Sequence, residues 1–340
     1  MRISIMGGEN MSKFKYYLGG AAALALLPVA AAADCEGDER VVKFSHVTAV
    51  SGHPKGEMVA ALAERFDEKF DGTMCMEVFP NSTLYNDDKV LEALILGDVQ
   101  LAAPDVGKFD AYTNRLQVFN LPFLFPDTEA VQSFTESEVG LDLLHAMDDS
   151  GITGVSWVFN GMRQFSANKP LIVPSDANGL KFRATTSDVT EAMIGALDAT
   201  PQALAFTEVY GALQNGVVDG QENTWSNIYT AKFYEVQDGI TETNHQFLTY
   251  LMVTTPEFLD SLGEDRQSFM DLVSEVSSEY NARANESNAE ARQSILDNGG
   301  TIRELTDEQR QMWVDAMKPV WTRFEDNIGK DIIDAAASGE

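Results

Sequence analysis

NGMRQFSANKP (160–170), GLKFRAT (179–185) and DGQEN (219–223) are the segments whose reading fixes the architecture. ITGVSWVF (152–159) reads as a strand that delivers the chain to Asn160, and GLKFRAT reads as a second strand. VVDGQEN follows as a third, after a helix over Phe206–Asn215 that Gly216 stops. Arg163, Arg183 and Asn223 stand at or near the ends of these strands, where open α/β sheets bind their ligands. A guanidinium is a planar fork of donors matched to a carboxylate, and a neutral amide both donates and accepts. Two arginines and an asparagine converging on a cleft would therefore hold a small carboxylic acid. Surface ion pairing is the alternative for both arginines, and their spacing alone does not separate the two readings.

Upstream, VVKFSHV (41–47) reads as a strand, GHPKG (52–56) opens a helix through Phe70, and MCMEVFP (74–80) is the next strand. Asp87–Leu96 is helical up to Gly97, and VQLAAP (99–104) is a short buried strand. This β-α-β-α-β order belongs to a mainly parallel sheet covered by helices. The second half repeats the theme. Ala93-Leu94-x-x-Gly97-x-Val99 matches Ala212-Leu213-x-x-Gly216-x-Val218 at a shift of 119, a helix-Gly-strand unit in each half. If the match is real, Pro104 and Asp105 face Glu222 and Asn223 across the gap between the halves.

Further on, VQDGIT (236–241) and HQFLTYLMVTT (245–255) are extended, the second long enough to cross between lobes. One helical pattern runs from Glu264 to Asp297, with Phe269, Leu272, Val273, Val276, Tyr280 and Ile295 on its apolar stripe. At 1.5 Å per residue it is about 50 Å long, more than one lobe can cover, so it is expected to brace both. Thr306 and Gln309 form a capping box for a last helix, in which Pro319 is expected to kink the axis.

The ends of the chain indicate the compartment. Lys13 and Lys15, an apolar run over residues 18–30 and Ala31-Ala32-Ala33 read as a signal peptide cut before Asp34, which places the mature protein in the periplasm. The apolar run is too short to span a bilayer, and no later stretch reaches that length, so no membrane insertion is expected. The whole chain carries a formal charge of −29, and loss of residues 1–33, with three basic groups and one acid, leaves −31. Such a charge excludes nucleic acid and anionic lipid as partners. An anionic metabolite is not excluded, because charges beyond a Debye length of about 8–10 Å are screened and local cations decide. Cys35 and Cys75 are the chain's two cysteines, and in an oxidising compartment they are expected to form one disulfide.

Motifs for catalysis are missing: there is no H-E-x-x-H, G-x-S-x-G, Walker A or dinucleotide fingerprint. His46, His53, His145 and His245 are scattered, and no metal or other cofactor is expected.

In order and interval, NGMRQFSANKP, GLKFRAT, AFTEVYGALQNGVVDGQEN (205–223) and KFYEVQDGITETNH (232–245) resemble the solute-binding P subunit of TRAP transporters. FSHVTAVSGHPKG (44–56), MCMEVFPNSTLYND (74–87) and QENTWSNIY (221–229) are most similar to its C4-dicarboxylate branch, the DctP type. The resemblance implies an α/β, two-lobe periplasmic-binding-protein fold with a long helix bracing both lobes. Lobe I is expected over 34–160 with about 249–288 returning to it, and lobe II over 161–248 with about 289–340. It further implies a non-enzymatic carrier that hands a small organic acid to TRAP membrane permease subunits, and a monomer is expected.

By the same resemblance Arg183 would pair with the ligand carboxylate, Arg163 would support it, Asn223 would fix its other face, and Phe206 would pack on its carbon chain. Asp105 and Lys108 fall where sugar-acid binders of the family use a Glu and an Arg, which leaves the distal contacts open. For the far carboxylate Lys55 is the candidate, at a helix N-terminus, and for the pocket wall Trp225; an exposed lysine and a core tryptophan are the competing readings. Succinate, fumarate or malate is the expected ligand. The alternatives are another carboxylate (a 2-keto acid, lactate or a sugar acid), a sensor presenting its ligand to a receptor kinase, and an exported two-lobe enzyme.

Overall fold

The computed structural model describes Cys35 and residues 37–338; the expected signal peptide lies outside them. The first half runs β1 (Arg40–Ser45), α1 (Pro54–Lys69), β2 (Met74–Phe79), α2 (Val90–Ile95) and β3 (Leu101–Ala102). α3 (Thr128–Glu136) and α4 (Glu138–Leu143) then lead into β4 (Thr153–Ala167). The second half is β5 (Lys181–Ala184), α5 (Asp188–Gly195), β6 (Thr200–Ala203), α6 (Val209–Gln214), β7 (Gly220–Thr224), α7 (Trp225–Thr230) and β8 (Gly239–Glu242). β9 (Phe247–Thr254), α8 (Pro256–Ser261), α9 (Arg266–Asp297), β10 (Ile302–Glu304), α10 (Asp307–Met317), α11 (Val320–Ile328) and α12 (Lys330–Ser338) complete the chain.

The strands follow the order β2-β1-β3-β9-β4-β7-β5-β6, with β8 and β10 attached beside β4. Each flank of this path is parallel, β1 with β2 and β3, and β5 with β6 and β7. The centre is antiparallel, β4 pairing β9 on one side and β7 and β8 on the other. Two strands span the halves. The chain through β9 runs from His245, packed on Phe165, to its pairing with β3, as the reading of 245–255 expected. β4 runs beside it; the sequence reading ended this strand at Phe159, but it continues to Ala167 because Gly161 and a register shift between Phe159 and Gly161 let it bend without breaking.

The two helix-Gly-strand units are built alike. In the first, the Gly97 and Asp98 amides return to the carbonyls of Leu94 and Ala93; in the second, Gly216 and Val217 return to Leu213 and Ala212. Both glycines have positive φ, +80° and +67°, the left-handed turn that ends a helix at little steric cost. Cys35 and Cys75 form a disulfide closing a sequence separation of 40, worth about 3–4 kcal/mol in the chain-entropy model.

α9 is 32 residues long, about 48 Å, and packs on α1 of the first half, on β4, and on α7 of the second. Two asparagines seven positions apart fasten it to the bend of β4. The Asn281 side chain accepts from the Phe159 amide at 2.8 Å and donates to the Trp157 carbonyl at 2.9 Å. The Asn288 amide nitrogen donates to the Asn160 carbonyl at 2.7 Å, and its oxygen accepts from the Ser226 amide at 3.1 Å. A Cβ on Gly161 would lie 2.9 Å from Asn288 Nδ2, so glycine is what admits this contact.

The C-terminal helices divide between the halves, which departs from the return of 289–340 to lobe II. α10 buries Trp313 and Met317 against Phe165 and Phe182 of the second half. α11 and α12 bury Phe324, Ile328, Ile332 and Ile333 with Phe119, Phe134 and Trp157 of the first. At Pro319 the last helical run is interrupted, as its missing amide requires: α10 ends at Met317 and α11 starts at Val320, with Lys318 and Pro319 still in helical φ/ψ, and the two segments serve separate cores.

Asn288→Ala is expected to lower the unfolding free energy by about 2–3 kcal/mol in urea titrations, since it orphans the Ser226 amide and the Asn160 carbonyl in the interior. Asn298→Ala, at the exposed end of the same helix, is expected to change it by less than about 0.5 kcal/mol.

Candidate ligand-binding site

A hollow of about 440 Å³ empty volume, including its opening to solvent, lies between the halves. From the first half Thr48, Asp87, Asp88, Asp105 and Lys108 line it; from the second, Arg183, Thr185, Phe206, Asn223 and Asn227; from the central strands, Arg163, Leu248 and Tyr250. Contacts between the halves hold it shut. Thr186 Oγ1 of the second half lies 3.0 Å from Lys108 Nζ and 3.1 Å from Asp88 Oδ1, which are themselves paired within the first half at 2.6 Å, and the Asp188 amide donates to Asp110 Oδ2 at 2.9 Å. Gly107 allows the approach, because a Cβ there would lie 2.8 Å from that of Ser187.

Both arginines reach the hollow from different strands, and both are buried, but their surroundings differ. Arg163 on β4 is already paired: Nη2 is 2.7 Å from Asp105 Oδ2, and Nη1 is 3.3 Å from the carboxylate of Glu222. Burial opposes its charge, yet Glu222 and Asp105 outweigh that penalty and hold the guanidinium above its ordinary pKa. Burial likewise opposes the Asp105 carboxylate, and Arg163 overcomes it, holding that carboxyl below its usual range. The facing of Asp105 and the Glu222 segment expected from the repeat is realised through this one cation.

Arg183 on β5 has no carboxylate within ion-pair distance among the described residues. Its Nε and Nη2 both donate to the Leu204 carbonyl, at 3.1 and 2.9 Å, which leaves Nη1 to the hollow. Burial pulls its pKa below the ordinary guanidinium value, and at only 4 % exposure the group remains a cation whose charge no acidic side chain touches.

Asn223, at the end of β7, is oriented by a directed run of hydrogen bonds. Its Oδ1 accepts from Asn227 Nδ2 at 2.6 Å and from the Thr224 amide at 3.1 Å, so its own Nδ2 is free to donate. Asn227 Oδ1 lies 2.8 Å from His53 Nε2. His53 caps α1, its Nδ1 accepting from the Lys55 amide at 3.1 Å, so the neutral ring carries its proton on Nε2. Burial first, then the nearby Lys55 charge, drives the His53 pKa down to about 3 and keeps the ring neutral.

Phe206 lies half-buried on the rim, edge-on to Phe233 at 5.6 Å. Lys55 and Trp225 stand elsewhere. Pro54 and Lys55 open α1 with both side chains inside, and Lys55 Nζ donates to the Ala103 carbonyl at 2.8 Å and sits 3.6 Å from the ring centre of Tyr250, behind the hollow's wall. Burial pushes its pKa down to about 8 against the pull of Asp87 and Asp105. Trp225, at the first position of α7, faces away into the core with Val209, Leu213 and Ile228. Tyr250, Asn227 and Asp87 line the hollow although the sequence reading did not single them out. Asn227 lies four residues beyond Asn223, an interval that becomes informative once a helix is known to begin between them.

Family and structural comparisons agree with this geometry. Residues 44–327 match the family model described as bacterial extracellular solute-binding protein, family 7. The chain is 52 % identical to the C4-dicarboxylate-binding periplasmic protein DctP of Vibrio cholerae, over 93 % of this chain and 96 % of that one. It is 42 % identical to the protein of the same name from Rhodobacter capsulatus, over 88 % and 91 %. Among solved structures, a TRAP periplasmic solute-binding protein of Shewanella oneidensis with bound succinate superposes with a TM-score of 0.87 at 47 % identity, covering 88 % of this chain and 99 % of that one. One from Pseudomonas aeruginosa with bound L-malate gives 0.82 at 40 % identity, covering 84 % and 99 %.

Two outcomes follow from the site's electrostatics. Asp105→Ala is expected to destabilise the protein by about 3–5 kcal/mol in denaturant titration, because it strips the nearer of two partners from a buried guanidinium. The His53 imidazole is expected to show no titration between pH 8 and pH 5 in NMR spectra. Its folded pKa near 3 lies below the unfolded 6.5, so the stability it contributes is full above 6.5 and is lost as pH falls toward 3.

Proposed function

This chain belongs to family 7 of the bacterial extracellular solute-binding proteins, and from that premise we propose that its hollow captures a C4-dicarboxylate such as succinate, fumarate or malate. As a TRAP solute-binding protein it delivers its acid to the membrane permease. The observation that carries the ligand reading is Arg183, a buried cation with two donors on a carbonyl, no acidic partner among the described residues, and a free edge toward an enclosed space. A carboxylate placed there supplies the missing counter-charge and accepts from Nη1 in the fork geometry that guanidinium favours. Asn223 Nδ2 donates to the same group from the neighbouring strand, Phe206 covers the carbon chain, and Lys108, with a single acid (Asp88) against the two on Arg163, is the lining cation suited to the distal carboxylate. Arg163 supports the site indirectly, by tying Asp105 to Glu222. The names and bound ligands of the relatives favour the same class of acid.

Two lobes would close over this acid. Lobe I comprises 34–160 with the return of 249–288 and helices α11 and α12; lobe II comprises 161–248 with α10. The acid favours closure only by as much as it binds the closed form better than the open one, and contacts drawn from both lobes provide that difference. No bond is made or broken, and the protein acts in the periplasm after loss of residues 1–33.

Isothermal titration calorimetry tests the reading. Arg183→Ala is expected to lose affinity for succinate by two or more orders of magnitude, about 3–5 kcal/mol, with the unliganded melting temperature little changed. Lactate, with one carboxylate, is expected to bind wild type far more weakly than succinate. Near-normal succinate binding by Arg183→Ala, or equal affinity for lactate, would count against it.

A further inference from the structure

We infer that the Tyr250 hydroxyl donates a hydrogen bond to a carboxylate of the bound acid, making Tyr250 a ligand-contact residue alongside Arg183 and Asn223. The inference rests on the hollow being the ligand site. Tyr250 sits on β9, is 3 % exposed, and lines the hollow. Its oxygen receives two donors, Asn160 Nδ2 at 3.0 Å and Asn227 Nδ2 at 3.3 Å.

The direction of both is fixed by what lies behind them. Asn160 Oδ1 already accepts from Ser226 Oγ at 2.7 Å and from Asn288 Nδ2 at 3.1 Å, so its nitrogen is the atom left for the phenol. Asn227 Oδ1 accepts from His53 Nε2, whose proton is placed there by the α1 amide on Nδ1, so Asn227 likewise presents nitrogen. A phenol oxygen with both lone pairs engaged has one function left, its O–H. Among the described residues that proton has no acceptor, and a buried donor without one carries a desolvation penalty that a carboxylate in the hollow would remove.

Lys55 fixes the ring from behind. Its ammonium, 3.6 Å from the ring centre and held by the Ala103 carbonyl, packs a cation on the aromatic face while the hydroxyl is aimed forward. The isolated bridge between Asp105 and Tyr250 ties the backbone of the same residue to the loop that carries the Arg163 partner. Tyr250 is thus held on its face, along its backbone and at its oxygen, and the proton is the part left free for a ligand.

Tyr250→Phe keeps the ring over Lys55 and removes the donor, and it is expected to weaken succinate binding about 10- to 100-fold by calorimetry. Because the substitution also strips an acceptor from Asn160 and Asn227, a second set of variants separates donation from scaffolding. Fluorotyrosines placed at position 250 make the phenol a stronger donor and a weaker acceptor without changing its shape. Succinate affinity is expected to rise with phenol acidity across that series. Binding within about 2-fold of wild type in Tyr250→Phe, or affinity falling as the phenol becomes more acidic, overturns the inference. If Arg183→Ala loses succinate while Tyr250→Phe keeps it, only the role of Tyr250 is refuted; if Arg183→Ala binds normally, the hollow is not the site and the inference falls with it.

Discussion

One guanidinium shared by two acids from opposite halves holds the centre of this molecule. Arg163 projects from β4, the strand common to both flanks of the sheet, and is clasped by Asp105 following β3 and by Glu222 on β7. All three are buried, and each acid there depends on the shared guanidinium, since an unpaired buried charge costs several kcal/mol. The halves are therefore registered to each other at the point where the ligand hollow begins. It also consumes Arg163: with two carboxylates on it, that residue has no surplus charge for a third. Of the two arginines, Arg183 is left without an acidic partner among the described residues, and the division of labour between two chemically identical side chains follows from where the acids fall.

A second constraint surrounds the first. From Asn288 in the middle of α9 a buried amide network passes through Asn160, at the bend of β4, to Ser226 and Tyr250, and through Asn227 to Asn223 at the hollow. The α1 amide on His53 anchors one end of the run and sets the direction of the bonds that follow through Asn227 to Asn223. Buried polar networks are tolerated when every member is satisfied, and they then specify one arrangement. Here the arrangement leaves two N–H and O–H donors, on Asn223 and Tyr250, facing a space that also holds an unpaired guanidinium. The long helix, the bend and the site belong to one hydrogen-bonded unit, so a movement of either half about β4 has to disturb donors that the ligand would use.

The charge of the chain is consistent with this local logic. A protein of formal charge −29 is a poor general attractant for an anion, yet over distances longer than about 8–10 Å that charge is screened. Of the acids lining the hollow, Asp105 is committed to Arg163 and Asp88 to Lys108, while burial raises the Asp87 carboxyl above its ordinary range against the pull of Lys55 and Lys108. Selectivity for an acid then depends on a few oriented donors among buried side chains, where a weakly screened interaction counts for more than in water.

Much of this was legible from residue order. Alternating and helical periodicities, the left-handed glycines at 97 and 216, the capping box at Thr306, the cysteine pair and the spaced motifs around Arg163, Arg183 and Asn223 determine the α/β elements, their order, the long helix and the family. These are local or short-range properties, fixed by backbone sterics and by the period of burial. Tertiary structure alone decided where side chains of equal chemistry end up. Lys55 stands at a helix start in the sequence reading as in the structure, but the aim of α1 puts the ammonium behind Tyr250, and the turn from β7 into α7, a helix the sequence reading did not place, sends the Trp225 indole into the core. The split of the C-terminal helices between two cores, the neutralisation of Arg163, and the emergence of Tyr250 as an outward donor likewise depend on residues tens to hundreds of positions apart. No periodicity encodes such meetings, because they are set by the packing of whole elements and by the requirement that every buried charge and hydrogen bond find its partner.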